Sequence, residues 1–253
     1  MFFYTGLLGV TFLALIGLAR SNQTSRETAL DQMLSLALIF VFLPVFLAIP
    51  EYSVIRTTSF LNAYLDMVSA LTTTGFEVFP ASRLSDALHL WRALVGWMGG
   101  GLIWVAAVAI LAPLNLGGFE LTAQHANARR QANFISTSER KLFLLRSAQT
   151  LIPLYIGLTG SLWLGFMLSG ASGYSGFIFA LSVLSTSGIT AYQGFMGLSS
   201  GIWAEVLIVI FFTLALSRVF WSPEKTTGFA KGLLRDVELR LAIWITILLS
   251  CVL

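Results

Sequence analysis

Charged side chains are scarce in this chain and are missing altogether from long stretches of it. They make up 11% of the 253 residues, whereas a soluble domain carries about 25%. Each charge-free stretch is close to the roughly 20 apolar residues that cross a bilayer as a helix. The composition therefore excludes an ordinary soluble domain and predicts an all-α membrane protein embedded in the lipid bilayer. The four stretches are Met1–Ala19, Gln32–Pro50, Ala93–Pro113 and Ser147–Gly170.

Residue types that build most catalytic and metal sites are also rare. The single cysteine, Cys251, cannot form a disulfide within the chain, and His89 and His125 lie far apart without metal-ligating neighbours. We find no nucleophile–base pair and no phosphate-binding loop. The sequence therefore predicts no enzyme and no cofactor. The net charge of +3 does not indicate nucleic-acid binding, because in a membrane protein the placement of Lys and Arg matters more than their total.

Twelve of the fifteen basic residues fall in three connecting segments. The positive-inside rule places such segments in the cytoplasm. The first apolar run has no basic residue before it, which disfavours a signal peptide and predicts a membrane helix with its N-terminus outside. The basic residues of the three segments are Arg20 and Arg26, then Arg129, Arg130, Arg140, Lys141 and Arg146, and then Arg218, Lys225, Lys231, Arg235 and Arg240.

Segments on the same side of the membrane require an even number of crossings between them. In the first interval, Gln32–Pro50 and a helix from about His89 to Pro113 supply two crossings, so Ser59–Phe76 must enter from outside and return. Non-helical backbone at membrane depth is tolerated only where protein or water surrounds it, so such re-entrant segments indicate an aqueous pathway. The corresponding stretches of the second interval are Leu142–Gly170, Ser199–Phe220 and the re-entrant Ser175–Ile189.

The two re-entrant segments end in the same pattern of three small hydroxyl residues, a glycine and a large apolar residue, 113 positions apart. Backbone carbonyls facing one narrow path can replace the hydration shell of a cation, and glycine eases the dihedral angles that this requires. We therefore predict two ion-binding filter segments for K⁺. Their residues are Thr72, Thr73, Thr74, Gly75 and Phe76 in the first, and Ser185, Thr186, Ser187, Gly188 and Ile189 in the second.

The surroundings of both segments favour a cation. Ser59–Leu71 and Ser175–Leu184 are long enough for short helices whose negative C-terminal ends would point into the membrane. Neither loop contains Lys or Arg, and Glu77 would add negative charge at the outer mouth. The competing interpretation is a pair of ordinary Ser/Thr-rich external turns. Beneath the first segment, three consecutive glycines are either a hinge or a site of close helix packing: Gly99, Gly100 and Gly101.

Two ionisable residues lie near the first segment. Asp66, inside the first short helix, is either a functional group at membrane depth or an anchor that hydrogen-bonds this helix. Arg92 either extends its head to the outer interface or pairs with an acidic group behind the filter, Asp66 or Asp86.

Several parts of the sequence resemble the membrane subunit of the Trk/Ktr-type potassium transporter family. Ala70–Phe76 followed by His89–Gly101 is similar to its first repeat, and Ala107–Pro113 with Leu116–Leu121 continues the similarity. Leu233–Arg240 resembles the start of the third repeat. The family commonly starts with one more membrane helix, and the second filter, Ser-Thr-Ser-Gly, is looser than the first.

The resemblance implies a potassium-channel-like fold with four helix–pore helix–helix repeats around one pore. This chain would hold two of them, as the N-terminal half of a homodimeric protein in the bacterial inner membrane that binds a cytoplasmic nucleotide-binding regulatory subunit. The implied function is potassium uptake. The alternatives are a proton- or sodium-coupled cation symporter and a non-conducting fragment or assembly subunit.

The predicted organisation has five parts. Residues 1–30 form a membrane helix and cytoplasmic link, 31–113 the first repeat, 114–141 a cytoplasmic loop and 142–221 the second repeat. Residues 222–253 form a link and the start of a truncated third repeat, whose final apolar run of thirteen residues is too short to span a membrane.

Overall fold

A computed structural model describes residues 29–107, 137–190 and 201–216. Outside these residues lie the predicted N-terminal helix, most of the predicted 114–141 loop, His125, Cys251 and the predicted start of a third repeat. Every regular element in the described ranges is helical, which agrees with the predicted all-α class. The elements are α1 Ala29–Val54, α2 Phe60–Leu71, a 3₁₀ turn Ala81–Arg83, α3 Asp86–Ala106, α4 Thr137–Leu168, α5 Gly173–Ser185 and α6 Gly201–Leu216.

Two helices of the described part, α1 and α4, contain segments long and apolar enough to cross a membrane. These are Met33–Val54 and Leu151–Leu168, with mean hydropathies of 2.6 and 1.7. Large apolar side chains such as Phe42 and Leu168 are exposed on them, at 58% and 90%. Such exposure is unfavourable in water and is the expected arrangement on a surface that faces lipid.

The short helices α2 and α5 begin with the same cap. The side chain of Ser59 accepts a hydrogen bond from the amide of Asn62, and that of Ser172 accepts one from the amide of Ser175. This bond satisfies an amide that has no partner within the helix. Helices of 12 and 13 residues are about 18–20 Å long, well short of the roughly 30 Å of hydrocarbon. The second short helix begins two residues before its predicted start, because Ser172 caps it.

Helix α3 lies between the two halves of the described structure. It packs against α1 and α2 on one side and against α4 and α5 on the other. One buried cluster joins α1, α2, α3 and α5 through residues such as Leu47, Met67 and Val95. A second joins α4, α5 and α6. The hydroxyl of Tyr155 on α4 also donates to the carbonyl of Trp97 on α3 at 3.0 Å, so α3 holds the short helices in fixed positions.

Candidate functional site

The loops that follow α2 and α5 have the same unusual backbone. Thr73 and Thr186, which occupy equivalent positions, have φ of 55° and 56°. In the described ranges they are the only residues other than glycine with positive φ. Two positions further on, Gly75 and Gly188 have φ of 71° and 68°. Left-handed backbone costs a non-glycine residue roughly 1–2 kcal/mol, so its presence at both equivalent threonines shows that the surrounding structure imposes it.

The loops also share their backbone hydrogen bonds. The amides of Thr74 and Ser187 donate to the carbonyls of Ser69 and Ser182, both at 3.0 Å. One residue earlier, the amides of Thr73 and Thr186 donate to the final turns of α2 and α5 at 3.0 and 3.1 Å. The amides are therefore turned back toward the helices.

The side-chain hydroxyls of the two loops form equivalent hydrogen bonds, although the first loop uses threonines and the second uses serines. Thr72 Oγ1 donates to the carbonyl of Val68 at 2.8 Å and lies 2.8 Å from Thr74 Oγ1. Ser185 Oγ donates to the carbonyl of Leu181 at 2.8 Å and lies 2.9 Å from Ser187 Oγ. Serine in place of threonine therefore preserves the network in the second loop.

The two loops touch at Gly75. A Cβ added there would overlap the carbonyl oxygen of Ser187, so only glycine allows this approach of the two backbones. The equivalent Gly188 has nothing within 4 Å of such a Cβ in the described part of the chain. Gly75 and Gly188 therefore share a backbone conformation, but only Gly75 is in contact with the other loop among the described residues.

The glycines of α3 fit against the ends of both short helices. A Cβ on Gly99 would overlap the carbonyl of Leu71 at the end of α2, and one on Gly100 would lie 2.9 Å from Ser185 Cα. A Cβ on Gly101 would meet only the ring of Tyr155, at 3.2 Å. Helix α3 continues unbroken through all three. Close packing therefore accounts for Gly99 and Gly100, and a hinge stays a prediction.

Sequence reasoning missed Gly96, which belongs to the same surface. A Cβ there would lie 3.2 Å from Ser187 Oγ in the second loop. The signal was available, because Gly96, Gly99 and Gly100 have the spacing of one helix face. This face of α3 supports both loops at once.

The outer residues of the two loops differ in environment. Phe76 is 67% exposed, whereas Ile189 is 1% exposed. The carbonyl of Phe76 accepts a hydrogen bond from Ser69 Oγ at 2.9 Å. Glu77 follows directly and is exposed.

Arg92 and Asp66 form a buried ion pair behind the first loop. Arg92 Nε lies 2.6 Å from Asp66 Oδ2, and the side chains are 1% and 0% exposed. Arg92 Nη2 and the amide of Val78 donate to Asp66 Oδ1 at 3.1 and 3.2 Å. The suggestion that Arg92 extends to the outer interface is therefore wrong, because α3 begins at Asp86 and places Arg92 nearly two turns inside, against α2. Asp66 anchors α2 as expected.

A second buried carboxyl group, that of Glu51, was also missed. It lies in the last turns of α1 and is 0% exposed. It lies one residue beyond the charge-free run Gln32–Pro50, and nothing in the sequence pattern singles it out. Only the packing of α2 against α1 shows that it is enclosed.

Several potassium uptake proteins are similar to this chain in sequence. TrkI of Halomonas elongata is 31% identical over 150 residues, which cover 59% of this chain and 28% of that protein. TrkH of Vibrio parahaemolyticus is 26% identical over 76% of this chain and 39% of that protein. No family model matches the chain.

The fold is also similar to a solved structure. The crystal structure of the potassium transporter TrkH from Vibrio parahaemolyticus superposes with a TM-score of 0.71, over 99% of this chain and 56% of that one, at 21% identity. This chain is similar to Trk potassium uptake proteins in sequence and to TrkH in fold.

These similarities confirm the predicted resemblance and the prediction of an all-helical membrane protein. It also agrees with the expectation that the chain is not an enzyme, since the relatives are named as potassium uptake proteins. The chain spans about a third of the length of these curated relatives. The activity of a whole transporter is therefore a matter of proposal.

Proposed function

We propose that this chain supplies two of the four filter segments of a potassium-uptake pore. Residues 31–113 and 142–221 would form two repeats, with filters at 72–76 and 185–189. The observation that carries the proposal is the left-handed backbone at Thr73 and Gly75 and again at Thr186 and Gly188. Two unrelated external turns are not expected to share a threonine and a glycine in the left-handed conformation together with the same hydrogen bonds.

The chemistry suits a dehydrated cation. A filter must offer oxygens in place of water, and carbonyls turned toward one path provide them. In both loops the amides are committed to the preceding helix, so they do not compete for the path. K⁺ would shed its water at carbonyls and hydroxyls of Thr72–Gly75 and Ser185–Gly188.

The helices reinforce this preference. Each loop begins at the C-terminal end of a short helix, where the macrodipole corresponds to about half a negative charge. The loops contain no Lys or Arg, which an anion pore would use. The outer Glu77 adds negative charge beside the first loop.

The contacts of the two glycines support a ring with further members. If four segments surround one axis, each touches the next, as Gly75 touches the carbonyl of Ser187. The equivalent side of Gly188 is open in the described ranges, and a third segment would occupy it. We infer that two more segments come from outside this chain. Taken alone, the chain would be non-conducting.

The lengths of α2 and α5 support re-entrant helices. The basic connecting segments favour re-entry from the outer face, with the N-terminus outside. From the resemblance to Trk proteins we further propose location in the bacterial inner membrane, a homodimeric complete protein and a cytoplasmic nucleotide-binding regulatory subunit. Coupled symport with protons or sodium is the second candidate, because Glu51, Asp66 and Arg92 are ionisable groups buried at membrane depth.

Replacing Gly75 with Asp tests the filter. In a longer transporter that contains this chain, Gly75→Asp should abolish potassium uptake, since the side chain would collide with Ser187 and place a fixed charge in the path. Uptake is measured in a bacterium that lacks its own potassium-uptake systems. Gly160→Ala is the control, because a Cβ there meets nothing within 4 Å. Normal uptake by Gly75→Asp at equal membrane abundance would refute the filter assignment.

A further inference from the structure

The carboxyl group of Glu51 has no hydrogen-bond donor in the described part of the chain. Both of its oxygens are buried and neither has a hydrogen-bond partner there. An unsatisfied buried carboxylate is far more costly than an unsatisfied neutral group. A bound proton, which converts the carboxylate into a neutral carboxylic acid, would lower this cost.

The immediate neighbour of Glu51 is a second carboxyl group. Glu51 on α1 lies within hydrogen-bonding reach of the Asp66 side chain on α2, and Arg92 on α3 is the cation that acts on both. Arg92 is engaged with Asp66 through two nitrogens. His89 is a further ionisable group that interacts with Arg92, and Asp86 and Glu77 act on His89 in turn. His89 Nε2 lies 3.1 Å from the carbonyl oxygen of Ala81.

Charge balance indicates what is missing. Two ionised carboxylates and one guanidinium would leave a buried net charge of −1, with two acceptors facing each other and no donor between them. Carboxylates that share a site do not both ionise. One proton removes the excess charge and supplies the missing donor. An alkali ion would need more oxygen ligands and would be repelled by Arg92.

We propose that Glu51 and Asp66 form a proton-binding site behind the first loop. Glu51 is held as a neutral carboxylic acid whose O–H donates to the Asp66 carboxylate, and Arg92 neutralises that carboxylate from the other side. The proton thereby links α1, α2 and α3. Through the bond from the Val78 amide to Asp66, it also fixes the segment that follows the first loop.

The second half of the structure shows that the arrangement is specific to the first. The position equivalent to Asp66, 113 residues later, is Phe179, which is fully buried in an apolar cluster. An apolar residue therefore suffices to seat the second short helix. The acidic pair is an added feature of the first loop. This inference does not depend on the proposed potassium pore.

Infrared spectroscopy of the purified chain in lipid nanodiscs tests the site directly. At neutral pH the wild type should show the C=O stretching band of a protonated carboxylic acid, and Glu51→Gln should lose it. Glu77→Gln is the matched control, because Glu77 is exposed and its substitution should leave the band unchanged. Absence of the band in the wild type, or its persistence in Glu51→Gln, would overturn the proposal.

Thermal unfolding gives an independent test. Glu51→Gln should keep the wild-type Tm to within a few degrees, because its amide N–H₂ replaces the donated proton. Glu51→Ala should lower the Tm by more than Glu51→Gln does, since it loses the donor and leaves a cavity. Equal losses in both variants would contradict a hydrogen-bonding proton. A Tm that rises with K⁺ or Na⁺ in the wild type but not in Glu51→Gln would instead identify an alkali-ion site.

Discussion

At the scale of single residues, the candidate site depends on a few positions whose backbone is held in the left-handed conformation. Thr73 and Thr186 are held in left-handed conformations by the bonds that return their amides to α2 and α5. Gly75 and Gly188 share that handedness, but only Gly75 is pressed against another backbone. The two glycines therefore serve as internal controls for each other.

Alanine at these glycines should separate backbone strain from contact between the loops. Both Gly75→Ala and Gly188→Ala place a side chain at positive φ, which costs roughly 1–2 kcal/mol. Gly75→Ala should cost a further amount of about 1–3 kcal/mol, because the methyl group overpacks against Ser187. Thermal unfolding of the isolated chain in detergent measures the difference. A Gly188→Ala variant as unstable as Gly75→Ala would show that the loops do not meet as described.

The positions of the two loops were predictable from sequence, and their role as filters stays a prediction, whereas the acidic pair was only partly predictable. The hydroxyl–glycine pattern is local and is repeated, so it identifies Thr72–Phe76 and Ser185–Ile189 without knowledge of packing. Pairing of Asp66 with Arg92 was one of several options, because it depends on which faces of α2 and α3 meet. Glu51 was missed for the same reason, since its burial arises only from tertiary packing.

At the scale of elements, α3 organises the site. Its glycine face contacts the end of α2 at Leu71 and the end of α5 at Ser185. Continuous helix through Gly99–Gly101 comes at a cost in helix propensity of roughly 1 kcal/mol per glycine relative to alanine. The close approach of α3 to both short helices requires glycine at positions 99 and 100 despite its low helix propensity.

Alanine substitutions along this face should distinguish packing from a hinge. Gly99→Ala should lower both the Tm of the chain and the potassium uptake of a transporter that contains it, because the methyl group would displace the end of α2. Gly101→Ala should have a smaller effect on both, since only the Tyr155 ring must shift. If Gly101→Ala instead abolishes uptake while the Tm is unchanged or raised, a hinge is the better interpretation.

Element boundaries were predicted less well than element types. Helix α4 begins at Thr137, five residues before the predicted start. Helix α3 begins three residues early at Asp86. Hydropathy reports where a helix is buried in lipid, and it says little about where its hydrogen bonds begin.

At the scale of the whole molecule, the proposed function assigns half of a pore to this chain. Two loops of the same conformation meet on one side, and the equivalent side of the second loop is open in the described ranges. The match to 56% of the TrkH structure fits a chain that carries part of a larger assembly. The central claim is that these two segments need two more before a selective path for potassium exists.

Potassium-limited growth of a bacterium without its own potassium-uptake systems tests this claim most directly. The chain is expressed alone and, in parallel, within a longer transporter that contains it, with membrane abundance verified for both. We predict that the longer protein restores growth and that the chain alone does not. Restoration of growth by the chain alone would contradict it, because two segments, or two copies of this chain, would then suffice.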